Sequence, residues 1–249
     1  MADAVDFLPG GFRFVPSVFQ YSAGVAALPG CAIERVRFRA PVPLDRGFAE
    51  IERIIRGAGR PLTAFCACEL RSPAQFTEDG FRAFNQRYVA TLEKWGLFDG
   101  KINPVARSNV CPQIAPPGEP SFHAFSFTVV ASITTASFVI AGSAEAREGG
   151  ASYNERIVRR GETTPEAMRE KARHVLAEME RRLSAFGLAW SDTTATQVYT
   201  VQDFHPFLAD EIVRRGAAHA GLTWHYARPP VQGLEYEMDC RGVANDRVI

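Results

Sequence analysis

Arg107 is the one cation between Lys101 and the end of the segment INPVARSNVCP (residues 102–112), which is otherwise small, largely apolar and β-like. A charge in a half-buried strand needs a partner. A planar guanidinium with five donors is matched best by a carboxylate. Arg107 is therefore a candidate clamp for an organic acid, a charge-assisted contact of about 1.5–3 kcal/mol. The other reading is an arginine that runs from a strand edge to solvent. Cys111, four residues on, falls on the same strand face, either lining a pocket or filling space as a small buried hydrophobe. A second group lies near the end of the chain. In LEYEMDCRGV (234–243), Glu235, Glu237 and Asp239 alternate with Leu234, Tyr236 and Met238, so the three carboxylates share one face. A solvated strand face accounts for at least two of them.

Other chemistries lack their residues. The five histidines (123, 174, 205, 219 and 225) show no HxH or HExxH spacing, so no metal is expected. There is no GxGxxG, P-loop or GxSxG, and no cofactor is expected. Cys31, Cys66, Cys68, Cys111 and Cys240 are odd in number and form no CxxC pair. Free, buried thiols fit a reducing cytoplasm. The N-terminus MADAVDFLPGG lacks the basic region of a signal peptide.

The elements that position these groups occur twice. LDRGFAEIERIIRGAG (44–59) puts Leu44, Phe48, Ile51, Ile55 and Ala58 on one helical face. TTPEAMREKARHVLAEMERRLSAFG (163–187) does the same with Met168, Ala172, Val175, Met179, Leu183 and Phe186, opening on Thr164–Pro165 and closing on Gly187. The stretches 51–59 and 179–187 align without a gap. Around the first helix the expected order is strands over VFQYSAGVAAL and AIERVRFRA, the helix, a strand over TAFCACEL, a helix over TEDGFRAFNQRYVATLEKWG, and strands over VARSNVCPQI and FHAFSFTVV. Around the second it is strands over SFVIAGSAEA and YNERIVRR, the helix, TATQVYTV, a helix over FHPFLADEIVRRGAAHAG, TWHYARP and LEYEMDCRGV. The fold class is thus α+β: two tandem ββαβαββ repeats, residues 12–132 and 133–249, each a mixed sheet with two helices on one face. The uncharged run from Ser121 to Ala144 is read as two strands meeting at the junction, not as a membrane span.

Three short motifs carry a resemblance. YSAGV (21–25), FRAFNQRY (81–88) and VARSNV (105–110) are similar to the Y-x-x-G-V, F-x-x-x-N-x-x-Y and P-A-R-S motifs of the RidA/YjgF family of imine and enamine deaminases, also filed as L-PSP-type endoribonucleases. In the second half FVIAGSAEA and LEYEMDCRGV resemble that family's S-G-Q and closing strands. Tandem copies in one chain also resemble the chorismatases, relatives of that family in fold. The resemblance implies that Arg107 holds a substrate carboxylate, that Asn85 and Tyr21 line the same pocket, and that Glu237 orients the attacking water. It also implies a homotrimer. The first half departs from the pattern, since its last strand, SFHAFSFTVVAS, has no glutamate. The second half has Leu208 where Asn is expected and Thr223–Trp224 near where Arg is expected, with Arg228 or His225 as substitutes. Each half lacks what the other retains, so a composite site of Arg107 and Asn85 with Glu237, within one chain or between chains, is expected. The alternative is a degenerate second half that serves as scaffold.

The chain has 249 residues and is 46% hydrophobic, enough for a sizeable core or for two domains. Its 28 basic and 28 acidic residues cancel, which disfavours nucleic acid and anionic membranes as partners. The expected partner is a small carboxylate. The leading function is a hydrolytic deaminase of an enamine or imine of a small carboxylic acid, releasing ammonia. Two alternatives stand: a chorismatase-like hydrolase or lyase acting on a cyclic carboxylate, and a non-catalytic small-molecule-binding protein of the RidA type.

Overall fold

The structure is a computed structural model that describes residues 3–132, 135–147 and 152–249. It contains two mixed sheets with helices packed against them. In chain order the strands are β1 (Val5–Phe7), β2 (Phe12–Val15), β3 (Gly24–Ala27), β4 (Cys31–Pro43), β5 (Phe65–Arg71), β6 (Ala106–Pro112), β7 (Ser121–Val130) and β8 (Phe138–Ala144). They continue with β9 (Ala195–Thr200), β10 (Leu222–His225), β11 (Ala227–Arg228), β12 (Tyr236–Gly242) and β13 (Asn245–Val248). The helices are α1 (Leu44–Gly57), α2 (Glu78–Lys94), the single turn α3 (Tyr153–Arg156) and α4 (Pro165–Ser184).

One sheet has the order β11-β6-β5-β7-β4-β13, the other β1-β2-β3-β8-β12-β9-β10. The runs β4-β7-β5-β6 and β8-β12-β9-β10 match in sense: two antiparallel pairs, then a parallel one. A parallel neighbour needs a crossover, and α2 supplies it between β5 and β6. Both long helices form as their periodicity requires. α1 buries Leu44, Phe48, Ile51 and Ile55, and α4 buries Met168, Ala172, Val175, Met179 and Leu183. Thr77 and Thr164 accept the backbone N–H groups of Gly80 and Ala167, closing the first turns of α2 and α4. No helix among the described residues is long and apolar enough to cross a membrane. The uncharged run from Ser121 forms β7 and β8, while residues 133–134, beside the expected boundary, lie outside the described residues.

Four expectations are corrected. The strand expected over YNERIVRR is α3 followed by a single bridge between Ile157 and Ala146; Ser152 and the helix-tolerant Asn154–Glu155 favour a turn there. The helix expected over 204–221 is one turn, His205–Phe207, running into a π-helical turn, Leu208–Val213; Pro206 removes a backbone donor at its start. TWHYARP splits between sheets: β10 lies parallel to β9, while β11 pairs with β6 across the gap. The opening strand of the first half crosses as well, since β3 pairs with β8. Beyond the expected strands, the β1–β2 hairpin extends one sheet and β13 returns to lie parallel to β4 in the other.

The sheets meet with β6 against β8. Polar side chains join them: Ser108 donates to Asp239 at 2.6 Å, and the Gln197 amide reaches Glu69 at 3.5 Å. At one edge of this contact, beneath α2, a cavity opens.

Candidate active site

Successive residues of β6 face opposite ways. Ser108 points at the other sheet, whereas Arg107 points under α2. There its guanidinium carbon lies 4.8 Å from the centre of the Tyr88 ring, 5.3 Å from Tyr21, and 5.7 Å from both Phe81 and Phe84. The spacing of α2 creates this arrangement, because positions 81, 84 and 88 share a helix face. Arg107 is 3% exposed, and neither terminal nitrogen has a hydrogen-bond partner among the described residues. Aromatic faces attract a cation, by about 2 kcal/mol or more when it is desolvated, but they accept no directed hydrogen bond from the guanidinium fork. Arg107 lines a cavity of about 750 Å³.

Three further polar groups line that cavity. Asn85, on α2, is buried with its Oδ1 unpartnered. Asn109 faces the same way as Arg107. Its Oδ1 accepts from Ser72 at 2.9 Å, and its amide nitrogen has no partner. Glu237 enters from β12 and is buried. Burial raises its pKa well above the carboxylate range, the neighbouring Asp239 adds to this, and Arg71 and Arg107 oppose it without prevailing. Glu237 therefore keeps its proton to a higher pH than an ordinary carboxylate and is suited to donate it. It fits because residue 142 is glycine: a Cβ there would overlap the Glu237 carboxyl oxygen. Donors (Arg107, Asn109), an acceptor (Asn85 Oδ1) and a proton source thus border one space.

The structure brings together Arg107, Asn85, Tyr21 and Glu237, all from one chain. It does not bring Cys111 or Arg228 to the cavity wall. Cys111 is paired across strands with Arg228, and burial together with Glu237 pushes its thiol up to about 12. Arg228 is ion-paired to Glu235. The expected solvated face is also corrected, because Glu237 and Asp239 are both buried. Asp239 accepts from Ser108, from Gln197 at 2.8 Å and from Tyr199 at 2.8 Å, tying the sheets together. His225 stacks on Tyr199 and bonds to Gln197 outside the cavity. Leu208, Thr223 and Trp224 lie off the cavity as well. Sequence reasoning missed Asn109 and Gly142. Both carried a signal: Asn109 stands two residues from Arg107, and a glycine inside a strand marks a close approach.

Residues 4–247 match the family described as 2-aminomuconate deaminase CnbZ. The chain belongs to that family. A CnbZ-family likeness extends over the whole chain: a 2-amino-5-chloromuconate deaminase of Comamonas testosteroni is 52% identical over 251 residues, covering all of both chains. A chorismatase crystal structure superposes with a TM-score of 0.55 at 13% identity, over 89% of this chain and 77% of its own. At that identity the match speaks to the fold alone, a mixed α+β arrangement shared with the chorismatases. The resemblance to RidA/YjgF thus led to the right reaction class, deamination, while the matching family is a narrower one.

Proposed function

We propose that this protein is a hydrolytic deaminase of the enamine or imine of a small carboxylic acid, specifically a 2-amino-dienedioate of the kind named for its relatives. The observation that carries the reading is that Arg107, whose terminal nitrogens have no partner among the described residues, lines the same cavity as Glu237, whose carboxyl burial shifts toward its protonated form. Arg107 takes the carboxylate next to the C–N bond as a two-point clamp. Asn85 Oδ1 accepts from the substrate N–H, and the Asn109 amide donates to the oxygen that forms. Glu237 gives its proton to carbon, converting the enamine to an iminium ion. Water adds to the iminium carbon, and the Glu237 carboxylate just formed takes up the water's proton. The carbinolamine hydroxyl proton then passes to the nitrogen, with Glu237 as relay, the C=O bond forms as the C–N bond breaks, and the nitrogen leaves as ammonia. Enamine plus water becomes 2-oxo acid plus ammonia, and Glu237 ends as it began. Orientation and one shuttled proton are sufficient, because an iminium carbon is already electrophilic.

On this reading the two matching strand runs are tandem copies of one unit that have divided the labour. Arg107, Asn85 and Asn109 come from the first, and Glu237 and Gly142 from the second. The experiment is ammonia release from a freshly generated 2-amino-dienedioate, with wild type compared to Arg107→Ala and Glu237→Gln. Release by wild type, with at least a hundredfold loss in both variants, supports the reading. No release by wild type, or full activity in either variant, overturns it.

A further inference from the structure

We infer that the more open part of the cavity is a second anion subsite, built on Arg156, that takes the far carboxylate of a dicarboxylic ligand. This rests on the reading above only in assigning the near carboxylate to Arg107. Among the described residues the cavity wall carries Arg82, Arg107, Arg147, Arg156, Arg181 and Arg182, against two acids, Glu78 and Glu237. In a chain whose charges cancel, this is a strong local excess. Much of it is already committed. Arg181 and Arg182 share Glu178, and Arg182 also donates to the carbonyl of Ala141 at 3.0 Å. Glu78 accepts from the Tyr153 backbone N–H at 3.3 Å. Burial shifts the Glu237 carboxyl toward its neutral form.

Arg156 is different. It makes no ion pair among the described residues, although its guanidinium is held in place. The carbon lies 4.3 Å over the Tyr153 ring, and one terminal nitrogen donates to the Arg147 carbonyl at 3.2 Å. Its Nε is buried and has no partner. An arginine packed on an aromatic face, anchored on one nitrogen and unmatched on another, repeats the condition of Arg107 at a second place on the same wall. The anchoring limits the rotamer freedom lost on binding. Arg107 comes from β6 and Arg156 from α3, with Glu237 contributed by β12 to the same space. A ligand acidic at both ends would therefore meet a guanidinium at each and present its middle to the proton donor. A ligand with one acidic end would leave Arg156 unmatched, and unpaired buried polar groups discriminate strongly.

The test uses two unreactive acids with the same six-carbon trans,trans diene, trans,trans-muconate with two carboxylates and sorbate with a methyl group in place of one. Isothermal titration of the full-length protein is expected to give at least tenfold tighter binding of muconate. Arg156→Ala should bring muconate to the sorbate level and leave sorbate affinity within about twofold, which also reports an intact fold. Arg156→Gln, which keeps most of the bulk, should behave the same way, and Arg107→Ala should weaken both acids. An unchanged muconate-to-sorbate ratio in both Arg156 variants overturns the subsite, as does a wild type that binds the two acids equally. Neither acid carries nitrogen. Discrimination that depends on Arg156, in a protein that releases no ammonia, would keep the subsite and sink the deaminase reading. Ammonia release with no such discrimination would do the reverse.

Discussion

At the scale of single residues, the proposed reaction rests on a carboxyl group that burial shifts toward its neutral form and a guanidinium left unmatched. Replacing Glu237 by Gln keeps shape and neutrality but removes the acidic proton. Turnover should fall by about 10²–10⁴-fold, the usual range for a lost general acid, with muconate affinity nearly unchanged. The pH dependence has a definite sign. In the unfolded chain this carboxyl ionises at about 4.3, whereas in the folded protein burial and Asp239 keep its proton on to a higher pH. Above the unfolded value the folded state binds the extra proton, so wild-type stability declines as pH rises toward the folded pKa. Glu237→Gln lacks that term. Denaturant midpoints measured from pH 5 to 8 should show the variant gaining on wild type as pH rises. Gly142→Ala should also lower turnover, with a smaller loss of carboxylate binding, because the added methyl overlaps the Glu237 carboxyl and only crowds the β6 backbone at Ser108, at 3.2 Å. Arg107→Lys should resemble Arg107→Ala, since an ammonium cannot reproduce the planar fork.

At the scale of elements, α2 and β12 must each be held rigidly. α2 carries the three rings over Arg107, and Tyr88 is fixed by a contact between its hydroxyl and the Cys68 sulfur at 3.2 Å. β12 is held at its start by Glu145, which accepts the backbone N–H groups of Glu235 at 2.7 Å and Tyr236 at 3.1 Å. Lys171 on α4 pairs with Glu145 at 3.2 Å and donates to the Val158 carbonyl at 2.7 Å, with both side chains fully buried. Removing one partner of a buried pair leaves a charge without compensation, at about 3–5 kcal/mol. Lys171→Met should therefore lower the urea midpoint by an amount of that order. It should also reduce turnover, because the strand bearing Glu237 loses its anchor. The double variant Lys171→Met/Glu145→Gln should recover part of the stability.

At the scale of the molecule, charge is balanced overall and concentrated at the cavity. Arg82 and Arg147 are exposed beside it, so their field reaches a dianion in solution. The screening length shrinks from about 30 Å at 0.01 M to about 8 Å at 0.15 M salt. The kcat/KM for a dicarboxylate should thus fall several-fold over that range, while kcat stays nearly constant; steady-state kinetics at the two salt concentrations checks this. The long-range ties have a structural role too. Arg35 on β4 bonds Glu69 on β5 at 2.6 Å and Asp246 on β13 at 2.8 Å, joining the last strand to the sheet.

The sequence by itself determined the long helices, most of the strand runs and the two groups, Arg107 and Glu237, on which the proposed reaction rests. Periodicity in 44–59 and 163–187 reports an apolar face that any fold must bury, and a lone arginine in a β-like run already implies an acidic partner. Alternation also put the carboxylates of 235–239 on one face, but it could not say what covers that face. Only the tertiary structure decided that β8 and β6 come together, burying Glu237 and raising the pKa of its carboxyl. The crossings of β3 and β11 between sheets were equally hidden, because backbone pairing across a gap leaves no local pattern in side chains. That Arg228 and Cys111 lie off the cavity wall was hidden for the same reason. Spacing along a strand gives the face a residue occupies, whereas its nearest charge, Glu235 in the case of Arg228, is set by the three-dimensional course of the chain.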